Sequence, residues 1–382
     1  MLWGRKKRFR KRRIRLAAFF GAAVLSVAVT SCSGGGDRPS EQPAASRDSA
    51  PAQAGSVWVA DEDGDSLTVI DAATNAVLTT LKGIEEPHNV QVSRDGAAVY
   101  AVSGSDDLLV VVEATTFAVR AIAPTGPAPA HVVEAPNGKV YVTNAGDGTV
   151  SVYQGRQLQP VGRITLGGMP HGLRASGDGS VIVVANTSAG ALDVINPVTD
   201  TSAGRVPVGP GPAQVAVTGD GRYAYAGVTK PSAVVKVDLE SRSVVATAQV
   251  PNAPVQLYLT PDDRSVVSAN QGTEDAPGHT ASVIDTQTMT VRSTVTAGSG
   301  PHGVIIDPAG TRAWVTNTYD DTVSVIDLAT SSVVATIRVG EEPNGVSYSA
   351  RLPAGGGSLP TTLNIPAPSS GSETESGNSH GH

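Results

Sequence analysis

A proline returns seven times along this chain at nearly constant spacing, and that recurrence restricts the possible folds more than any other feature. It stands as Pro87-His-Asn-Val, Pro129-Ala-His-Val, Pro170-His-Gly-Leu, Pro212-Ala-Gln-Val, Pro254-Val-Gln-Leu, Pro301-His-Gly-Val and Pro343-Asn-Gly-Val. Successive intervals are 42, 41, 42, 42, 47 and 42 residues. A period near 42 built from short β-type segments predicts a β-propeller with one blade per repeat. A lone four-stranded blade cannot bury both faces, so the repeats must form one domain.

Within the repeat beginning at Pro301, apolar strands are expected over His302 to Asp307, Arg312 to Asn317, Val323 to Asp327 and from Ser332 onward. Each is short, Val/Ile-rich and bounded by Gly, Pro, Asn or Asp. The first turn recurs as Ser93-Arg-Asp-Gly, Ala135-Pro-Asn-Gly, Ser176-Gly-Asp-Gly, Thr218-Gly-Asp-Gly and Thr260-Pro-Asp-Asp. An aspartate closes the third strand at Asp71, Asp238, Asp285 and Asp327, where it is expected to accept backbone N–H groups of the next turn.

The second strand carries Tyr141-Val-Thr-Asn144 and Trp314-Val-Thr-Asn317, with looser copies at Val184-Ala-Asn186 and Ser268-Ala-Asn270. In these residues the chain resembles the YVTN-type β-propeller repeat proteins, over residues 55–350. The resemblance implies the fold. For function it implies only a varied group of exported binding, surface and cofactor-associated proteins.

Six full repeats run from Pro87 to Gly340. Residues 343–350 supply only a first strand, and Val57 to Leu81 supply only strands two to four. The two incomplete ends complement one another. The expectation is an all-β, seven-bladed propeller over residues 55–350, closed by pairing the C-terminal strand with the N-terminal three, which leaves no open seam.

The ends read differently. Residues 1–31 hold nine Lys/Arg and no acid, then an apolar run from Leu16, as an export signal does. Val29-Thr-Ser-Cys32 resembles a bacterial lipobox, which makes Cys32 the expected lipid-attachment residue. Residues 32–54 read as a flexible tether and residues 351–382 as a disordered Gly/Ser/Pro-rich tail ending in His380-Gly-His382. The expected location is the outer face of the bacterial cytoplasmic membrane, or envelope, with membrane contact through the lipid alone. Cys32 is the only cysteine, so packing without disulfides must hold the domain. With the signal removed, 19 basic residues face 35 acidic ones, a formal charge near −16. That charge, with few aromatics, disfavours nucleic acid as a partner.

The residues just after each proline are expected to ring the entrance of the central channel. In order they are His88, His131, His171, Gln214, Gln256, His302 and Asn344. His131 stands one position out of phase with His88, His171 and His302, so strict alternation would point it elsewhere. The ring suggests a ligand site, with Zn²⁺ or Cu held by His88, His171 and His302 as one form of it. The competing account is that these side chains satisfy orphan backbone groups. Acidic loops lie on the same face, and Asp61, Asp63 and Asp65 alternate as in calcium loops, but the glycine falls at the fourth position rather than the sixth. The five extra residues of the fifth interval fall in Gln271 to Thr280, a candidate specificity loop carrying Glu274, Asp275 and His279.

No nucleophile motif, phosphate loop, paired cysteines or HExxH is present. The leading expectation is a non-enzymatic, monomeric surface lipoprotein that binds a protein, peptide or small-molecule ligand of the cell envelope. The alternative is a metal-assisted lyase or lactone hydrolase, or a redox-associated enzyme, using the entrance histidines.

Overall fold

The computed structural model describes residues 54–354 and 360–365. The export segment, Cys32, the tether before residue 54 and His380-Gly-His382 lie outside them. Among the described residues every regular element is a β-strand. The strands form seven antiparallel four-stranded blades. First strands are Val90–Val92, Pro129–Glu134, Pro170–Ala175, Val215–Val217, Pro254–Leu259, Pro301–Ile306 and Pro343–Ser349. Each first strand touches the first strands of both neighbouring blades, all the way round. They therefore line the channel.

Six blades use four consecutive strands, and the seventh closes the ring. There Pro343–Ser349 pairs antiparallel with Ser56–Asp61, in the register Val57↔Tyr348 and Trp58↔Ser347. Ser66–Asp71 and Val77–Lys82 complete the blade. The expected closure is the one observed.

Second and third strands are buried on both faces, which explains why Ser56–Asp61 and Leu108–Glu113 read as apolar runs without alternation. Fourth strands are largely exposed, with single inward residues such as Ile164, Val206 and Ile337. The core is accordingly a set of slabs between adjacent blades. Tyr141, Val150 and Val152 pack on Leu173, Ile182 and Val184 of the next blade. Across the closure, Val57, Val59 and Ile70 pack on Trp314, Val323 and Val346. Each such side chain removed from water contributes about 1.5–3 kcal/mol, so no blade is stable without its neighbours.

Every position of the Tyr-Val-Thr-Asn strand has a mechanical task. The Tyr141 ring fills the slab while its hydroxyl donates to Asp200 Oδ1 of the next blade at 2.7 Å. Thr143 Oγ1 accepts the His131 N–H and donates to the His171 carbonyl, stitching two first strands together. Asn144 Oδ1 accepts the Gly126 N–H at 3.0 Å, and its amide donates to Thr149 Oγ1 and Ser151 Oγ. Asn317 repeats this clip with Gly298, Thr322 and Ser324. The clip needs glycine three residues before the proline, because a Cβ on Gly126 or Gly298 would lie 2.7 or 2.6 Å from the asparagine Cγ.

The aspartates closing the third strands behave as expected. Asp71 Oδ1 accepts Ala73 and Thr74 N–H groups, Asp238 those of Glu240 and Ser241, and Asp285 those of Gln287 and Thr288. Described parts of the expected tail are bound to the domain: the Ala354 N–H donates to the Thr115 carbonyl. Thr361–Thr362 pairs parallel with Leu81 and Lys82, and Leu363 is buried against the slab containing Trp58 and Leu81. Leu363, with the partly buried Ile365 beside it on the same slab, covers an edge strand.

Candidate functional site

The residues after the repeated prolines are drawn together at the channel mouth, all buried except His171, which is half-buried. The His88 ring centroid lies 5.4 Å from that of His131, 5.0 Å from His171 and 6.1 Å from His302. His131 and His171 are 5.0 Å apart. His131 is thus inside the cluster, contrary to the alternation argument. The physical reason is a register shift between Pro129 and Val132, repeated at Pro170/Leu173 and Pro301/Val304, which breaks the period of two where the strands begin.

Carboxamides and backbone carbonyls surround the imidazoles. Gln214 Nε2 stands 3.1 Å from His131 Nδ1, and because Gln214 Oε1 accepts the Val215 N–H, it is the amide NH₂ that faces the ring. His171 Nδ1 lies 2.8 Å from the Ala213 carbonyl, so it carries the proton and leaves Nε2 with its lone pair. His88 Nδ1 faces the Glu62 carboxylate at 3.2 Å and the Asn344 amide at 3.5 Å. Gln256 Nε2 approaches His302 Nδ1 at 3.5 Å. Where the ring residue is followed by glycine, the neighbouring strand occupies the space: a Cβ on Gly172 would collide with the Gln214 amide.

Burial pushes the His171 and His302 imidazoles down to about 3, with the neighbouring His88 adding to the effect. His131 is driven well below its ordinary value, first by burial and then by His171 and His88. All three are therefore neutral at physiological pH, the state in which imidazole is a ligand rather than a cation. Arg174, on the same strand as His171, adds positive charge near His131, with its guanidinium 5.7 Å from the Tyr258 ring.

Other expected site residues stand apart. The five-residue insertion lengthens a hairpin, extending the strands to Ser265–Gly272 and Pro277–Asp285. Glu274, Asp275 and His279 are exposed there, and among the described residues no ring contact joins His279 to the four clustered imidazoles. The alternating acids are not arranged as a calcium loop. Asp61 is buried and accepts Ser66, Thr68 and Gly340, while Asp65 accepts the Glu86 N–H. Asp107 and Asp321 clip Ala128 and Glu342 in the same way, each holding the residue before a repeated proline at positive φ. Much of the acidic rim is thus turn chemistry. Glu62 and Arg174 carried no sequence signal, since the Glu62 contact with His88 and the charge of Arg174 near His131 each act between adjacent blades that only the tertiary structure brings together.

The first strands, the stitched YVTN positions and the closed ring define a repeat propeller with a polar channel mouth. A family model described as YNCE-like beta-propeller matches residues 93–256. A comparison with curated proteins finds no match. Among solved structures, hydrazine synthase of Kuenenia stuttgartiensis aligns at 20% identity and TM-score 0.62, over 68% of this chain and 89% of that one. A putative 6-phosphogluconolactonase of Bacteroides fragilis aligns at 17% and 0.64, over 80% and 99%. Apo AztD of Citrobacter koseri aligns at 18% and 0.56, over 78% and 98%. At these identities the likeness is one of fold.

Proposed function

We propose that this protein is a lipid-anchored envelope protein whose propeller binds a ligand at the channel mouth. The observation that carries the reading is the convergence of four imidazoles, two glutamines and an asparagine from seven blades onto one buried spot. A scaffold needing only orphan backbone groups satisfied has no reason to place them in ring contact. Acid–base catalysis by His171 or His302 is disfavoured, because groups pushed to about 3 exchange protons poorly near neutrality. The structural neighbours bear names as different as a synthase and a lactonase, so the fold by itself selects no chemistry. Because the imidazoles are clustered rather than splayed, metal-assisted reaction at the same spot is the second reading.

Thermal shift against divalent cations, small carboxylates and short peptides tests the site. A ligand at 100 times its Kd adds about 2.7 kcal/mol, several degrees in a domain this size. The triple variant His88→Ala, His171→Ala, His302→Ala is expected to lose that response while keeping the fold. If parent and variant respond alike to every probe, the mouth is not the binding site. Anchoring rests on Cys32: Cys32→Ser is expected to release the protein from the membrane fraction, and equal pelleting of the two forms would refute the anchor. Among the described residues no helix is long and apolar enough to cross a membrane.

A further inference from the structure

Resting on the ligand-binding reading above, we propose that His88, His131 and His171 form a mononuclear site for a late first-row divalent cation, Zn²⁺ first among them. One nitrogen from each of these residues lies within 4.8 Å of the other two. Three imidazoles suit Zn²⁺ and its neighbours in the series, and three protein ligands leave a fourth position for water or an incoming group. Tetrahedral ligation with Zn–N of about 2.0–2.1 Å places nitrogens roughly 3.4 Å apart, so the rings close inward by about an ångström on capture.

The surroundings fit that role from two sides. His171 donates Nδ1–H to the Ala213 carbonyl, and His88 faces the Glu62 carboxylate through Nδ1. Both are the outer-partner arrangements that orient metal-binding imidazoles and raise their basicity as ligands. His131 is the adjustable member. Its Nε2 is buried without a hydrogen-bond partner among the described residues, an unfavourable state that a metal bond removes. With Gln214 presenting NH₂ to Nδ1, the His131 proton sits on Nε2 in the metal-free cluster. Ligation through Nε2 therefore shifts that proton to Nδ1, and the Gln214 amide has to turn its oxygen toward it. Gln214 is a positioning residue in this scheme. A carboxylate there would accept both the Val215 N–H and the His131 Nδ1–H.

The test uses the full chain with His380→Ala and His382→Ala, so that the terminal histidines cannot bind metal. After Zn²⁺ loading and dialysis, close to one equivalent is expected by elemental analysis, and Co²⁺ in its place should give the intense visible absorption of a tetrahedral site. Competition against a chromophoric chelator should show affinity falling at least about a hundredfold in His88→Ala and in His171→Ala, and about tenfold or more in His131→Ala. His302→Ala should stay near the parent. Gln214→Glu should tighten binding about tenfold. Less than about a tenth of an equivalent in the folded parent overturns the site. Loss on His302→Ala with none on His131→Ala, or no tightening in Gln214→Glu, overturns this ligand set. Should an alanine variant fail to fold, His88→Gln and His171→Gln replace it. A parent that ignores Zn²⁺ yet responds to an organic probe through the same histidines refutes the metal and leaves the ligand-binding reading standing.

Discussion

Asp61 and Asn144 occupy the same place in two blades and differ by one atom. Asn144 ends a second strand in an ordinary blade, Asp61 in the blade that closes the ring. Each bonds the N–H of a glycine three residues before the repeated proline, Gly126 or Gly340, and each meets two hydroxyls across the hairpin. The amide matches that environment, accepting with oxygen and donating with nitrogen. The carboxylate has only acceptors, is fully buried, and is pushed up to about 7, by burial first, against the opposing Thr68, Ser66 and Gly340 bonds. The closing blade thus carries a titratable joint where the blades of Asn144 and Asn317 carry a neutral one. The lesson is that closing a ring by two chain ends leaves the seam chemically unlike the repeats it imitates.

The largest effect expected from breaking this comparison comes from removing the seam outright. Deleting residues 343–350 takes away the first strand of the closing blade and the Val346 contact of its slab. Cooperative unfolding should be lost, as seen by coincident circular dichroism and fluorescence melts in the parent and their absence in the deletion; a parent-like melt would disprove the closure as a stability element.

Asn144→Asp should transplant the seam's problem into an ordinary blade. An acid whose folded value is raised holds an extra proton in the native state between its unfolded and folded values, so stability falls as pH rises across that window and stays low above it. Stability at pH 8 should drop by a few kcal/mol, with a much smaller loss at pH 4, by urea unfolding at the two pH values.

Asp61→Asn should do the reverse. The Asp61 carboxyl is raised from 3.8 to about 7, so its contribution is most favourable below about 4 and is eroded through 7. The asparagine variant should gain stability above pH 7 and flatten the profile between 4 and 7. A variant equally affected at both ends of that range would show that the joint is not what titrates. The smallest effect belongs to the docked tail. Leu363→Ala should cost about 1–2 kcal/mol, below the range for central leucines, because the residue covers one edge through a two-residue strand.

How much of this was legible beforehand varies with the distance over which residues cooperate. The turn sequences and the aspartates that close the third strands are local, and their roles follow from bond geometry within a few residues; the YVTN copies were legible as a pattern, but their bonds reach into the next blade. The polar ring was legible too, because the period fixes which residues are equivalent. The alternation argument failed for His131 because it assumes an undistorted strand, and the register shifts between Pro129 and Val132. The partnership of Glu62 with His88 depends on how adjacent blades pack, since the two belong to different blades.

By itself the sequence determined the repeat, the number of blades, the complementary ends and the identity of the residues at the channel mouth, all of which follow from periodicity and from the need of each blade to bury both faces. Only the tertiary structure decided that the mouth residues touch, that the His131, His171 and His302 imidazoles are neutral, that one aspartate of the rim is buried at the seam, and that Leu363 is part of the core. Those depend on burial and on distances across the ring, which no local pattern encodes.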